Sequence, residues 1–176
     1  MDIEQRAVGL PQGITLSCRL AGKKDAGRRI VFLHGFPEGA FIWDDMMLAL
    51  AGEAFCVAPN LRGYERSSAP HDVQAYRAKH LVADLEALVR WTGAPVDVLV
   101  AHDWGGGVAW NFAALRPNLV RHLLIVNSPA NPTGGVTPKA EVDRLVAGLV
   151  RFPRVAVMSD EIYDQMTYDG AEFVPM

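Results

Sequence analysis

The side chain with the most chemical promise is Asp103, in the run Val100-Ala101-His102-Asp103-Trp104-Gly105-Gly106. An apolar, strand-like stretch delivers this carboxylate into a sharp turn, and a helix-like stretch starts immediately. Ala101 and Gly105, two before and two after it, are small enough for the backbone to turn without Cβ clashes. That is the nucleophile-elbow pattern, with aspartate where serine is more usual. A carboxylate held there can attack a saturated carbon and form an ester with it. Taken alone, the same residue also reads as a capping Asp at a helix N-terminus.

Two further segments stand where a site could be completed. His34-Gly35-Phe36-Pro37-Glu38 follows the apolar run Ile30-Val31-Phe32-Leu33, and Leu61-Arg62-Gly63-Tyr64-Glu65-Arg66-Ser67 follows a run from Phe55 to Ala58. A different pair of motifs lies in the tail. Asn127-Ser128-Pro129-Ala130-Asn131-Pro132-Thr133-Gly134 precedes a helical stretch, and Val157-Met158-Ser159-Asp160-Glu161-Ile162-Tyr163 follows it. Read plainly, these are a Pro/Gly turn and an acidic strand end.

The elements that must position these residues alternate. Ile14 to Leu20 reads as an outer strand. Short continuous apolar runs at residues 30–33, 55–58, 96–101 and 123–126 suit strands buried on both faces. Helical stretches cover 41–51, 76–91 and 104–115, the second with Leu81, Leu85, Leu88 and Val89 along one face. A further helix is predicted over 138–151, with Thr137 as N-cap and Pro138 at the first helical position, and a last strand over Val155 to Met158. The expectation is an α/β fold, a mainly parallel sheet with helices on both faces, joined by right-handed crossovers. Chemistry then gathers at the carboxyl ends of the strands.

Composition narrows the field. At 176 residues, 50% hydrophobic and 21% charged, the chain can build a core and is not a disordered segment. A net charge of -3 gives no reason to expect nucleic acid as a partner. Residues 128–176 carry that whole excess, with 4 basic against 7 acidic side chains, and all 5 histidines lie before them. Cys18 and Cys56 are too few for a disulfide framework and read as buried thiols of a cytoplasmic protein. No apolar run approaches membrane-spanning length, and Met1 to Arg6 is too polar for a signal peptide.

With the elbow, the HGFPE segment and the LRGYERS segment in this order, residues 1–128 resemble the α/β-hydrolase superfamily. Within it they look most like epoxide hydrolases, with haloalkane dehalogenases as near relatives. The resemblance implies that Asp103 is the nucleophile that opens an epoxide, or another small hydrophobic electrophile, to an alkyl-enzyme ester. It implies that the backbone N–H groups of Phe36 and Trp104 form an oxyanion hole, and that no cofactor or metal is needed. His34 is expected to shape its loop and His102 to point away from the pocket. The family's histidine base should follow the nucleophile and an acid in chain order. No histidine follows His122, which is expected at the opposite end of the sheet; His71 and His80 are not expected to substitute. The family's lid is not recognisable after Val126.

The tail motifs resemble the central segment of class I/II aminotransferases, PLP enzymes of fold type I. That likeness implies that Asn131 and Tyr163 hydrogen-bond the cofactor's phenolic oxygen and that Asp160 pairs with its pyridinium nitrogen. The Schiff-base lysine expected after the tyrosine is absent, Lys139 being the last lysine. The chain therefore reads as a composite: a truncated hydrolase core over 1–128, without a lid, completed by a foreign helix-strand unit over 129–176 on the same sheet. Asp160 could then stand near the place of a hydrolase's orienting acid. A non-catalytic folded module and a PLP-binding remnant are the alternatives; titration with PLP is expected to give only adventitious adducts at Lys23, Lys24, Lys79 or Lys139, and a specific site dependent on Asp160 would favour the remnant. An uncovered sheet edge would favour self-association.

Overall fold

A computed structural model describes residues 2–126, 138–149 and 170. Six strands form one sheet: β1 (Glu4–Gly9), β2 (Thr15–Ala21), β3 (Arg28–Leu33), β4 (Ala54–Pro59), β5 (Val96–His102) and β6 (Val120–Val126), in the order β1-β2-β4-β3-β5-β6. β3 pairs in parallel with β4 on one side and β5 on the other, while β1 with β2 and β2 with β4 are antiparallel. The connections carry α1 (Asp44–Leu50), α2 (Ala78–Thr92) and α3 (Asp103–Leu115). A further helix, α4 (Lys139–Leu149), lies in the tail. The chain divides into two compact units, Met1–Leu123 and Leu124–Met176.

The central strands are where continuous apolar sequence puts them. All six residues of β4 and the last four of β3 are buried. Alternation along β3 sorts them to two faces. Val31 and Leu33 join Val57, Leu99 and Leu16 in the core beneath Leu85, Leu88 and Val89 of α2 and Phe112 of α3. Phe32 points the other way, its ring 5.4 Å from that of Trp43 in the turn before α1. Helices thus cover both faces, as a parallel sheet requires. α2 ends at Gly93, whose φ of 98° lies in the left-handed region that glycine enters freely.

Several element bounds differ from expectation. Ile14 to Leu20 is not the edge: β1 lies outside it, and its Glu4, Gln5 and Arg6, all exposed, carry no apolar period to betray a strand. The helix expected over 41–51 opens with a 3-10 turn, Ala40–Trp43, and Tyr76 belongs to a separate 3-10 turn, Val73–Tyr76, before α2. β6 starts three residues earlier than its apolar run. In α4, Pro138 stands just outside the helix, its carbonyl accepting from Glu141 and Val142 N–H groups. Thr137 and the strand expected at Val155 to Met158 lie outside the described residues.

Both cysteines are buried and unpaired, and the sheet explains why they cannot meet. Cys18 shares a face with Leu16 and Leu20 in the α2 core, whereas Cys56 sits between Phe55 and Val57 and so faces the other way. Burial pushes the Cys18 thiol up to about 12 and the Cys56 thiol up to about 11. Neither thiol should react with Ellman's reagent at about pH 8 in the native state, and both should react after unfolding in urea. Because both values are raised, their contribution to stability is intact below 9, the ordinary thiol value, and falls as pH climbs towards 12.

Candidate active site

β5 ends in His102, and the chain turns straight into α3. Asp103, the hinge of that turn, has φ of 49°, the left-handed region that costs a side chain about 1–2 kcal/mol. The surroundings enforce it. A Cβ on Gly105 would stand 2.6 Å from His34 O and 2.8 Å from Leu33 O, so α3 starts hard against the end of β3. A Cβ on Gly35 would stand 2.6 Å from Asp103 Cβ. Gly105 is there because backbone lies against backbone, and Gly35 because its backbone lies against the Asp103 side chain.

The carboxylate is held from two sides. Phe36 N–H donates to Asp103 Oδ2 at 3.1 Å, and Trp104 N–H donates to the same oxygen. One N–H comes from the loop after β3 and the other from the first turn of α3, whose N-terminus favours negative charge. Asp103 Oδ2 is thereby the shared acceptor of two backbone donors. The side chains of Phe36 and Trp104 are exposed around it, an apolar rim on a polar centre.

His34 does what its sequence position suggested: it builds the loop. It is fully buried, with Nδ1 2.8 Å from Gly35 O, while Nε2 accepts the Leu61 N–H at 3.0 Å. Donating from one nitrogen and accepting on the other requires the neutral imidazole. Burial accordingly lowers its pKa from the ordinary 6.5, against smaller upward pulls from Gly35 O and Glu38. With the folded value depressed, the unfolded chain binds the extra proton first, so this stability is present above 6.5 and is lost as pH falls. The urea midpoint should drop between about pH 7 and pH 5.5, and by less in His34→Gln, when followed by tryptophan fluorescence.

The loop after β4 supplies the other wall. Ser67 Oγ donates to Asn60 O at 2.6 Å. Arg62 reaches back to Asp84 on α2 through Nε and Nη2, at 2.8 and 2.7 Å. This carries Tyr64 beside His34, ring centroids 4.6 Å apart. Burial raises the Tyr64 pKa, and the negative charge of Asp103 raises it further. Tyr64 was not singled out from sequence, although the segment holding it was. A small hollow lined by Leu16, Leu33, Leu61, Leu81 and Leu88 lies under the Arg62–Asp84 pair. It holds about one water at most and is a packing gap.

The structure thus brings together Asp103, Phe36 and Trp104. His102 Nδ1 lies 3.2 Å from Glu38 Oε2, on the loop after β3. His122 Nδ1 is 3.0 Å from Asp97 O at the start of β5, the sheet end opposite Asp103. Asn131, Asp160 and Tyr163 lie outside the described residues. Among the described residues no cluster of three His, Cys, Asp or Glu could hold a metal ion, and no helix is long and apolar enough to cross a membrane.

Known proteins share these features. A family model described as alpha/beta hydrolase fold matches residues 28–154. The AB hydrolase superfamily protein YfhM of Bacillus subtilis is 37% identical over 118 residues, 66% of this chain and 41% of that protein. The epoxide hydrolase of Caballeronia sordidicola is 38% identical over 108 residues, 61% of this chain and 33% of that one. Among solved structures, the epoxide hydrolase VrEH1 from Vigna radiata superposes with a TM-score of 0.67 at 34% identity, covering 86% of this chain and 48% of its own. The chain therefore spans less than half the length of these relatives. The family match also runs past residues 123–129, where the tail's likeness to aminotransferases would place a junction, and lends that likeness no support. Strand order, elbow and sequence agree: this chain belongs to the α/β-hydrolase fold family.

Proposed function

We propose that this chain opens epoxides by nucleophilic attack of Asp103. The observation that carries the reading is the convergence of the Phe36 and Trp104 N–H groups on one oxygen, Oδ2. With Oδ2 held, Oδ1 is the atom left to attack. Its lone pair forms a bond to an epoxide carbon, the ring C–O bond breaks, and its electron pair stays on the ring oxygen, which takes up a proton from water. The product is an ester whose carbonyl oxygen is Oδ2. When water adds to that ester, negative charge develops on Oδ2, where the two donors already wait. No cofactor enters either step, and the substrate is an epoxide, as the names of the relatives suggest.

The first step can be tested apart from the second, which needs a base for water. Incubation with styrene oxide should add one substrate mass, located at Asp103. Asp103→Asn should lower the rate of that addition by about 10³-fold or more, because a neutral amide is no nucleophile. A chain that neither carries the adduct nor releases diol after long incubation defeats the reading.

The aminotransferase-like reading of the tail, with PLP held by Asn131, Asp160 and Tyr163, rests on the wording of two motifs. Titration with PLP decides it. A bound chromophore lost in Asp160→Ala supports it, and adducts confined to lysines dispose of it.

A further inference from the structure

We infer that Glu38 and His102 form a positioning pair that holds the Phe36 N–H over Asp103. The inference rests on the oxyanion role proposed for Phe36. The loop leaving β3 meets the elbow at two adjacent places. At one, Phe36 N–H reaches Asp103 Oδ2 at 3.1 Å. At the other, Glu38 Oε2 lies 3.2 Å from His102 Nδ1. Residues 36 and 38 face residues 103 and 102, so the two contacts stand side by side.

Between them is Gly35. A Cβ there would be 2.6 Å from Asp103 Cβ and 3.0 Å from His102 Nδ1, so loop and elbow touch with no space to spare. Glu38 N–H bonds Gly35 O at 3.2 Å, closing residues 35–38 into a tight turn. A pull on the Glu38 side chain is therefore passed to Phe36 through a short, stiff piece of backbone. Glu38 Oε2 is buried and makes no hydrogen bond among the described residues, so its 3.2 Å approach to His102 Nδ1 is a close contact that fixes where the Glu38 side chain lies. Neither side chain reaches the reacting carbon; both act through Phe36.

The test follows the Phe36 amide by hydrogen exchange in NMR, and Asp103 modification by styrene oxide, in Glu38→Ala, His102→Ala, the double variant and Glu38→Gln. Exchange at Phe36 should quicken about tenfold in either single alanine variant, the scale of one lost contact. The double variant should be no faster, since the two residues act as one device. Exchange at Val57, in the buried β4, should stay unchanged and so reports on the fold. Modification of Asp103 should slow about tenfold alongside, with Glu38→Gln recovering part of both effects. Should an alanine variant unfold, Glu38→Gln decides alone: Phe36 exchange must exceed that of the native chain. Phe36 exchange within twofold of native in both singles, or losses that multiply in the double, overturns the pair. If exchange responds but no chain is modified, the pair stands and the proposed reaction falls. If the native chain is modified and neither alanine variant changes it, the reaction stands and the pair falls.

Discussion

Asp84→Ala should destabilise the unit of residues 1–123 by about 3–5 kcal/mol, more than any other single truncation of a polar side chain in it. The side chains of Arg62 and Asp84 are only 5% and 6% exposed. Their pairing is bidentate, and Asp84 Oδ1 also accepts from Gln12 Nε2 at 2.6 Å while Arg62 Nη1 donates to Ala75 O at 2.8 Å. Four segments are tied at one point: the β1–β2 turn, the loop after β4, the 3-10 turn before α2, and α2 itself. Removing the carboxylate strands a guanidinium among leucines, where water cannot replace the lost partner. The native pair itself adds little net stability, because desolvating two charges offsets most of their attraction. Arg62→Met with Asp84→Leu should therefore recover most of the loss. Urea unfolding followed by tryptophan fluorescence would show it. A loss under about 1 kcal/mol for the single variant would mean that water reaches the pair.

That network also shows what can be read from sequence. The buried strands β3, β4 and β5 were legible because a parallel sheet covered on both faces has to be made of continuous apolar runs. The elbow was legible because small residues on both sides of Asp103 have a steric reason to be small. The donors Phe36 and Trp104 followed from resemblance, since no spacing rule brings residue 36 beside residue 103. β1 was invisible because only its pairing with β2 makes it a strand: Glu4 to Ala7 are exposed, and a two-sided polar strand has no period. Tyr64, Glu38 and the Arg62–Asp84 pair were missed for one shared reason. Each owes its role to a partner between 22 and 64 positions away, and charge types in a loop do not announce such partners. The loop-shaping role of His34 followed from resemblance, and its ring contacts with Gly35 O and Leu61 N–H tie that loop to the one after β4.

Two glycines of one helix separate steric necessity from mere tolerance. Gly105→Ala should destabilise the fold by about 1–3 kcal/mol and slow modification of Asp103 by about 10²-fold. The added methyl would meet His34 O at 2.6 Å, Leu33 Cβ at 2.8 Å and Leu33 O at 2.8 Å. None of these is the loose end of a flexible side chain. β3 is paired on both sides and cannot move, so the first turn of α3 must. Moving it carries Trp104 N–H away from Asp103 Oδ2 and opens the contact with the Phe36 loop, so stability and chemistry fall together. Two residues along, a Cβ on Gly107 would meet nothing within 4 Å. Gly107→Ala should thus gain up to about 1 kcal/mol from helix propensity alone, with modification of Asp103 unaltered. Opposite signs for one substitution at two sites in one helix isolate the close approach at Gly105 from any general effect of alanine on α3. Equal urea midpoints for the two variants would mean that β3 and α3 can part without cost, and the strained hinge at Asp103 would lose its explanation.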